Sequence, residues 1–245
     1  MSRPSDREVV LAHSSDLHLG ADYSLDQSRS ADTLSVLREV LAAAKAAGAD
    51  LVILAGDTFE HNRQPSELID RAARTMGEFG APIVILPGNH DPLTPDSVYR
   101  RAGLAATSNV CVLGLTVGEA AVFPGLGLEV WGRAHLDYSD MSPLLKPRSR
   151  STRWQLAAAH GHYVEGPEMP GRLIGSWLIR REELIATGAD YVALGHWNRA
   201  ARVGDEQVNA YYSGSPDYAR TVNVVRLRRD GAVEVTRAPL HGPES

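Results

Sequence analysis

Ile83-Val84-Ile85-Leu86-Pro87-Gly88-Asn89-His90-Asp91 is the stretch on which the reading of this chain turns. Four consecutive branched aliphatic residues are too short for a helix and have the length of a strand buried on both faces. Pro87 and Gly88 stop it, and an amide, an imidazole and a carboxylate follow where the strand empties. An ordinary Gly-Asn turn is the plain alternative, but composition alone would yield Gly-Asn-His-Asp in only about one chain per thousand.

Working outward, the same pattern recurs. The run from Glu8 to Ala12 empties through His13 into Asp16 and His18, and Leu51 to Ala55 empties into Gly56 and Asp57. Between these runs, Leu34, Leu37, Val40 and Leu41 lie at helical spacing within 28–47, with Gly48 as a stop, and Pro65 opens a second helix to about Phe79. The order β, α, β, α, β at this spacing requires parallel strands joined by crossover helices, with ligands gathering beyond the carboxyl ends of the strands. Toward the C-terminus, 97–146 holds a short helix and Gly-punctuated strands at 110–113, 119–123 and 128–131, and 142–153 is a basic surface loop. Trp154 to Ala159 then ends in His160-Gly161-His162, and Tyr191 to Leu194 ends in Gly195-His196-Trp197-Asn198. A helix at 181–187, a strand at 210–212 and a hairpin of 222–227 with 232–236 around Asp230-Gly231 complete the reading.

The chain has 245 residues, 25 basic and 30 acidic side chains, a net charge of −5 and 43% hydrophobic content. Such a composition is that of a globular protein and excludes disordered, collagenous and disulfide-scaffold classes. No apolar stretch approaches the roughly 18 residues of a membrane span, and the N-terminus is polar and charged through Glu8. Cys111 is the lone cysteine, so no intrachain disulfide forms; these features fit a cytoplasmic protein. The acidic balance argues against a freestanding module that binds nucleic acid by charge alone. One domain spanning 1–245 is expected.

Five strand ends thus carry Asp, His or Asn. Two carboxylates, several imidazoles and an amide oxygen suit one or two divalent transition metals better than calcium, which takes all-oxygen shells. If Asp57 bridges two ions, four positive charges meet only the two negative charges of Asp16 and Asp57, and the excess suits activation of water and neutralisation of phosphate oxygens.

The set D-x-H, G-D, G-N-H-D, a strand-ending His and G-H-x-(H) resembles the calcineurin-like metallophosphoesterases. Ser15 to Gly20 (SDLHLG), Gly56 to Phe59 (GDTF), Ala193 to His196 (ALGH) and Tyr212 to Asp217 (YSGSPD) are similar to the nuclease domain of SbcD-type DNA repair exonucleases. The resemblance implies two mixed β-sheets sandwiched between helices in four layers, an α/β fold. It also implies a two-metal phosphodiesterase with Asp16, His18 and Asp57 around one ion and Asp57, Asn89, His160 and His196 around the other. His162 is the alternative to His160. Asn198 stands where the family has a second His, which should loosen the first site and tilt it from zinc toward manganese or magnesium. Manganese is the preferred ion, with magnesium, iron and zinc as alternatives.

The resemblance further gives His90 a catalytic role at the scissile phosphate, with Glu60 orienting it. It points to a phosphodiester substrate such as single-stranded DNA and, by family only, to an ATPase partner. The sequence ends before the capping and partner-binding segments of the SbcD type, so a small-molecule phosphodiesterase or phosphatase and a non-catalytic binding module are the rival readings. Lys146, Arg148, Arg150, Arg153 and Arg199 are candidate phosphate contacts, and Tyr163, Trp177 and Trp197 candidate base-stacking residues, with Trp177 expected in the core.

Overall fold

The computed structural model describes residues 7–21, 32–101, 103–144, 147–165 and 176–240. The first sheet holds β1 (Val9–Ser14), β2 (Leu51–Ala55), β3 (Ile83–Leu86) and β4 (Val110–Val112) as parallel neighbours. The second holds β5 (Ala120–Phe123), β6 (Leu128–Gly132) and β7 (Trp154–His160). Beyond them, β8 (His162–Val164) and β9 (Leu178–Arg180) form a separate two-stranded sheet. The second sheet continues with β10 (Tyr191–Gly195), β11 (Ala201–Val203) and β12 (Ala210–Tyr212). The hairpin β13 (Thr221–Leu227) and β14 (Val233–Pro239) returns to the first sheet, β13 pairing antiparallel with β1. Strand order is β14-β13-β1-β2-β3-β4 in one sheet and β11-β12-β10-β7-β6-β5 in the other. Both sheets are mixed, because β13 and β14 in the first and β5 and β11 in the second run antiparallel to their neighbours.

The sheets face each other, β2 and β3 packing on β7 and β10. Alternation along β7 shows how the layers are made. Leu156 and Ala158 join the large core shared with β1 to β3, whereas Ala157 and Ala159 join a smaller core on the opposite face, beneath Leu184 of α3 (Arg181–Ala186). The outer face of the first sheet is covered by α1 (Ser35–Ala46) and α2 (Ser66–Phe79). A single-turn helix, α4 (Pro216–Ala219), leads into β13. The result is the sandwich of two mixed sheets between helices that the motifs imply.

Local rules account for most boundaries. Leu37, Val40 and Leu41 bury the inner stripe of α1, which starts at Ser35 because the Asp32 carboxylate accepts the Leu34 N–H at 3.1 Å and holds a turn there. The expected start at residue 28 lies outside the described residues. Pro65 is the residue before α2 rather than its first, and Gly80 ends it in the left-handed conformation. The hairpin turn has Gly231 at φ 93° and Asp230 accepting the Ala232 N–H. Strands β8, β9 and β11 were not expected; each has three residues, too few to show a period.

The basic loop at 147–153 is tied down. Arg148 lies 3.5 Å from the buried Glu129 carboxylate, Arg150 makes a two-pronged contact with Asp190, and Arg153 reaches the Arg229 carbonyl and covers the Trp154 ring. These guanidiniums have internal partners, so the loop is a brace on the second sheet; Lys146 lies outside the described residues.

Candidate metal centre

Three loops at the carboxyl ends of β1, β2 and β3 meet two at the ends of β7 and β10. Asp16, His18, Asp57 and His196 all have positive φ, at 54°, 48°, 51° and 103°. That conformation costs roughly 1–3 kcal/mol for each non-glycine residue and persists only where surrounding bonds impose it. Here they do: the Asp16 N–H donates to the Gly56 carbonyl (3.0 Å), the His18 N–H to Asp57 (3.1 Å) and the Leu19 N–H to Thr58 (2.9 Å), zipping the first two loops together.

Each carboxylate is then half committed. Asp57 Oδ1 accepts the His90 N–H at 2.9 Å and Asp16 Oδ2 accepts the His196 N–H at 2.9 Å. Asp57 Oδ2 is left 3.1 Å from His160 Nε2, and Asn89 Oδ1 is 3.0 Å from that same nitrogen. His160 Nδ1 donates to the Ala55 carbonyl at 2.9 Å, which fixes the ring and turns Nε2 toward the two oxygens. The approach is tight enough to explain two motif glycines. A Cβ at Gly88 would lie 2.2 Å from Asp57 Oδ1, and one at Gly56 would lie 2.0 Å from His160 Nδ1.

The electrostatics call for a cation. Burial would lower the His160 pKa, yet the charge of Asp57 and its hydrogen bond overcome that and hold it up at about 10. Burial would raise Asp57, but His160 prevails and keeps its carboxyl below the usual range, whereas Asp16 is raised by its own burial. His196 is pushed down to about 4 by burial and by the neighbouring His160 charge, so its imidazole is neutral and available as a ligand. Without another cation, His160 must carry the proton that balances the buried carboxylates. A divalent ion does the same work, and the donor set fits one: Asp57, His160 and His196 offer ligand atoms within 4.8 Å of one another, as do Asp16, His18 and Asp57, with Asp57 common to both groups.

The remaining expected residues fall into place unevenly. His162 is exposed and accepts the Trp197 indole N–H at 3.0 Å, while His160 is fully buried at the centre. Asn198 is exposed on the rim of the cavity that contains Asp16, His18 and Asp57. His90 Nδ1 donates to the backbone carbonyl of Glu60 at 3.0 Å; the Glu60 carboxylate stands 3.8 Å from His90 but 2.8 Å from His18 Nδ1. The expected side-chain pairing with His90 is thus made by main chain, and the carboxylate faces His18. Trp177 is half-buried against His135 and His196 rather than in the core, Tyr163 is buried, and Trp197 stacks on Tyr212 with ring centroids 4.2 Å apart. Arg199 is exposed.

Sequence reasoning gave no role to Asp91. Fully buried, it accepts the Gly88 N–H (2.8 Å), the Phe59 N–H (2.9 Å) and the Tyr99 hydroxyl (2.5 Å), joining the β2 and β3 loops. Burial and the nearby Asp57 push its pKa up to about 6. Its place in the Gly-Asn-His-Asp run was the available signal.

Two cavities meet at His90. One, of about 480 Å³, contains Asp16, His18, Asp57, His196, Asn198 and Tyr218; the other, of about 610 Å³, contains Glu60, Arg63, Asn89, Tyr138 and Trp177.

The calcineurin-like phosphoesterase family model matches residues 9–199, which include every residue of this centre. The chain belongs to that family. Its chemistry is metal-dependent phosphoester hydrolysis. Among curated relatives, the SbcD subunit of the SbcCD nuclease from Bacillus subtilis is 27% identical over 88% of this chain and 65% of its own length. The DNA double-strand break repair protein Mre11 of Methanopyrus kandleri is 26% identical over 84% of this chain and 48% of its own. The chain therefore spans between about half and two thirds of the length of these relatives. A crystal structure of TT1561 from Thermus thermophilus superimposes with a TM-score of 0.57 over 96% of this chain and 99% of that one, at 14% identity, a likeness of fold. No helix among the described residues of this phosphoesterase is long and apolar enough to cross a membrane.

Proposed function

We propose that this phosphoesterase hydrolyses phosphodiesters of nucleic acid strands, as a nuclease of the SbcD type, with two divalent ions, manganese preferred. The observation that carries the diester reading is the cleft open on both sides of His90. A diester needs room for a substituent on each side of the phosphorus, and both cavities are large enough for a sugar with its base. The names of the relatives, a nuclease subunit and a strand-break repair protein, support the nucleic acid and also a partner protein.

In this reading Asp16, His18, Asp57 and Asn198 hold one ion, and Asp57, Asn89, His160 and His196 the other. When bound, such ions supply Lewis acidity toward phosphate oxygens and a water nucleophile at neutral pH. The chain's own groups do the rest. Backbone N–H bonds from His90 and His196 fix Asp57 and Asp16, so the ligand geometry is set before substrate arrives. Ala55 turns the His160 lone pair inward. With Nδ1 of His90 committed to the Glu60 carbonyl, Nε2 is the atom left to hold or deliver a proton at the departing ester oxygen. The Glu60 main chain holds His90, while its carboxylate faces His18.

The test is hydrolysis of bis(p-nitrophenyl) phosphate beside p-nitrophenyl phosphate, and of matched single-stranded and duplex DNA, with manganese and after chelation. Diester turnover that requires the ion and extends to single strands is expected. Activity undiminished by chelation, or monoester turnover alone, would overturn it.

A further inference from the structure

The second cavity carries an observation that metal chemistry does not use. Tyr138, 61% exposed, lines it together with Trp177, Arg63 and His90. An exposed tyrosine is ordinary on a loose loop, but this segment is held. The Trp177 N–H donates to the Asp140 carboxylate (2.6 Å), its indole N–H donates to the Ser139 carbonyl (3.0 Å), and the Ser139 N–H donates to Asp137 (2.7 Å). Two of these bonds tie Ser139 and Asp140 to Trp177, and the third closes a local turn of 137–139 around Tyr138. Its hydroxyl stands 3.5 Å from the Asn62 amide nitrogen, which also donates to the Pro92 carbonyl and Thr94 on the loop that follows His90. The ring is therefore presented at a set place next to the catalytic loop, with an open face. Trp177 cannot serve in the same way, because it is wedged against His135 and His196 at interplanar angles of 70° and 78°.

We infer that this lobe is a nucleobase subsite, in which the base of the nucleotide that carries the scissile phosphate stacks on Tyr138 with Trp177 as the back wall and Arg63 reaching an adjoining phosphate. The chemistry fits each part. Base stacking on an aromatic ring is sequence-tolerant, because every base has a π-face, and guanidinium groups bind phosphate oxygens through charge-assisted hydrogen bonds. The opposite lobe has an exposed tyrosine of its own, Tyr218 at 56%, but among the described residues no arginine or lysine lines it to take an adjoining phosphate. The inference rests on the phosphodiesterase reading and names which side of the centre receives the base.

Binding tests it without turnover. The full chain with manganese is titrated calorimetrically with a thymidine 5′-phosphonate, whose P–C bond is not hydrolysed, and with its base-free deoxyribose counterpart. Stacking of roughly 1–3 kcal/mol predicts a Kd about 5- to 160-fold tighter for the thymidine compound. Tyr138→Ala should remove most of that ratio and Tyr138→Phe should keep it. Equal affinities in the wild type, or a ratio that survives Tyr138→Ala, would overturn the subsite. If the ratio behaves as expected while no diester is cleaved, the hydrolytic reading fails and the base subsite stands; diester cleavage with a ratio of one has the opposite meaning.

Discussion

The two halves of the metal centre are built to different standards. Around Asp57 and His160 the donors are braced: Asp57 by the His90 N–H, His160 by the Ala55 carbonyl, and the loop that carries Asn89 by buried Asp91 with its three hydrogen-bond donors. Around Asp16, His18 and Asn198 the bracing thins. Asp16 is held by the His196 N–H and His18 leans on Glu60, but Asn198 lies exposed on the rim. The first half continues the core between the sheets, while the second opens to the cavity. A dry, pre-organised half should hold an ion tightly, and an open half, for which Asn198 is the proposed amide ligand, should exchange it.

The largest effect should come from the residue that belongs to both halves. Asp57→Ala is expected to abolish turnover, by at least about 1,000-fold, and to lower metal content at both positions. Metal analysis showing the loss of one ion only would mean that the two halves bind independently. In the proposed role, where its imidazole meets the substrate and not the ion, His90→Ala should cut turnover roughly 100-fold with metal content intact; loss of metal in that variant would move His90 into the ligand set.

Next in size is a pH effect beneath the braced half. His13, fully buried on β1 and 2.9 Å from the Tyr191 hydroxyl on β10, has its pKa lowered by burial to about 3. A base whose folded pKa lies below its unfolded value takes up its proton first in the unfolded chain, so stability is lost as the pH falls from about 6.5 toward 3. Between pH 7 and pH 5 that loss should be about 2 kcal/mol from His13 alone. Urea denaturation of the wild type and of His13→Gln at both pH values measures it, and an equal pH dependence in the two proteins would show that His13 is not responsible. The smallest effect is expected at Asn198. Asn198→His should tighten the weaker site, on the order of 10-fold in the affinity of the more loosely held ion and more for zinc than for manganese. Calorimetry with both ions checks it, and unchanged affinity would place Asn198 outside the ligand shell.

The architecture was legible in the sequence because each parallel strand is a short, unbroken aliphatic run stopped by Gly or Pro. The donors were legible because they follow those runs within a few residues: the chain itself places Asp16, Asp57, Asn89, His160 and His196 at strand ends. What lay hidden depended on partners distant in sequence. Asp91 gains its role only when Phe59, Gly88 and Tyr99 converge on it, and the basic loop loses its apparent freedom only when Glu129 and Asp190 arrive beside it.

By itself, then, the sequence determined the alternation of elements, the sandwich they imply and the identity of the donor groups, since period and punctuation are local properties of the chain. The tertiary structure decided which of His160 and His162 turns inward, that main chain and not the Glu60 carboxylate holds His90, and that Tyr138 rather than Trp197 offers an open ring. Those outcomes depend on angles of a few tens of degrees and distances near 3 Å between loops far apart in the chain, where hydrogen bonding and burial select one side-chain arrangement from several that the sequence alone permits.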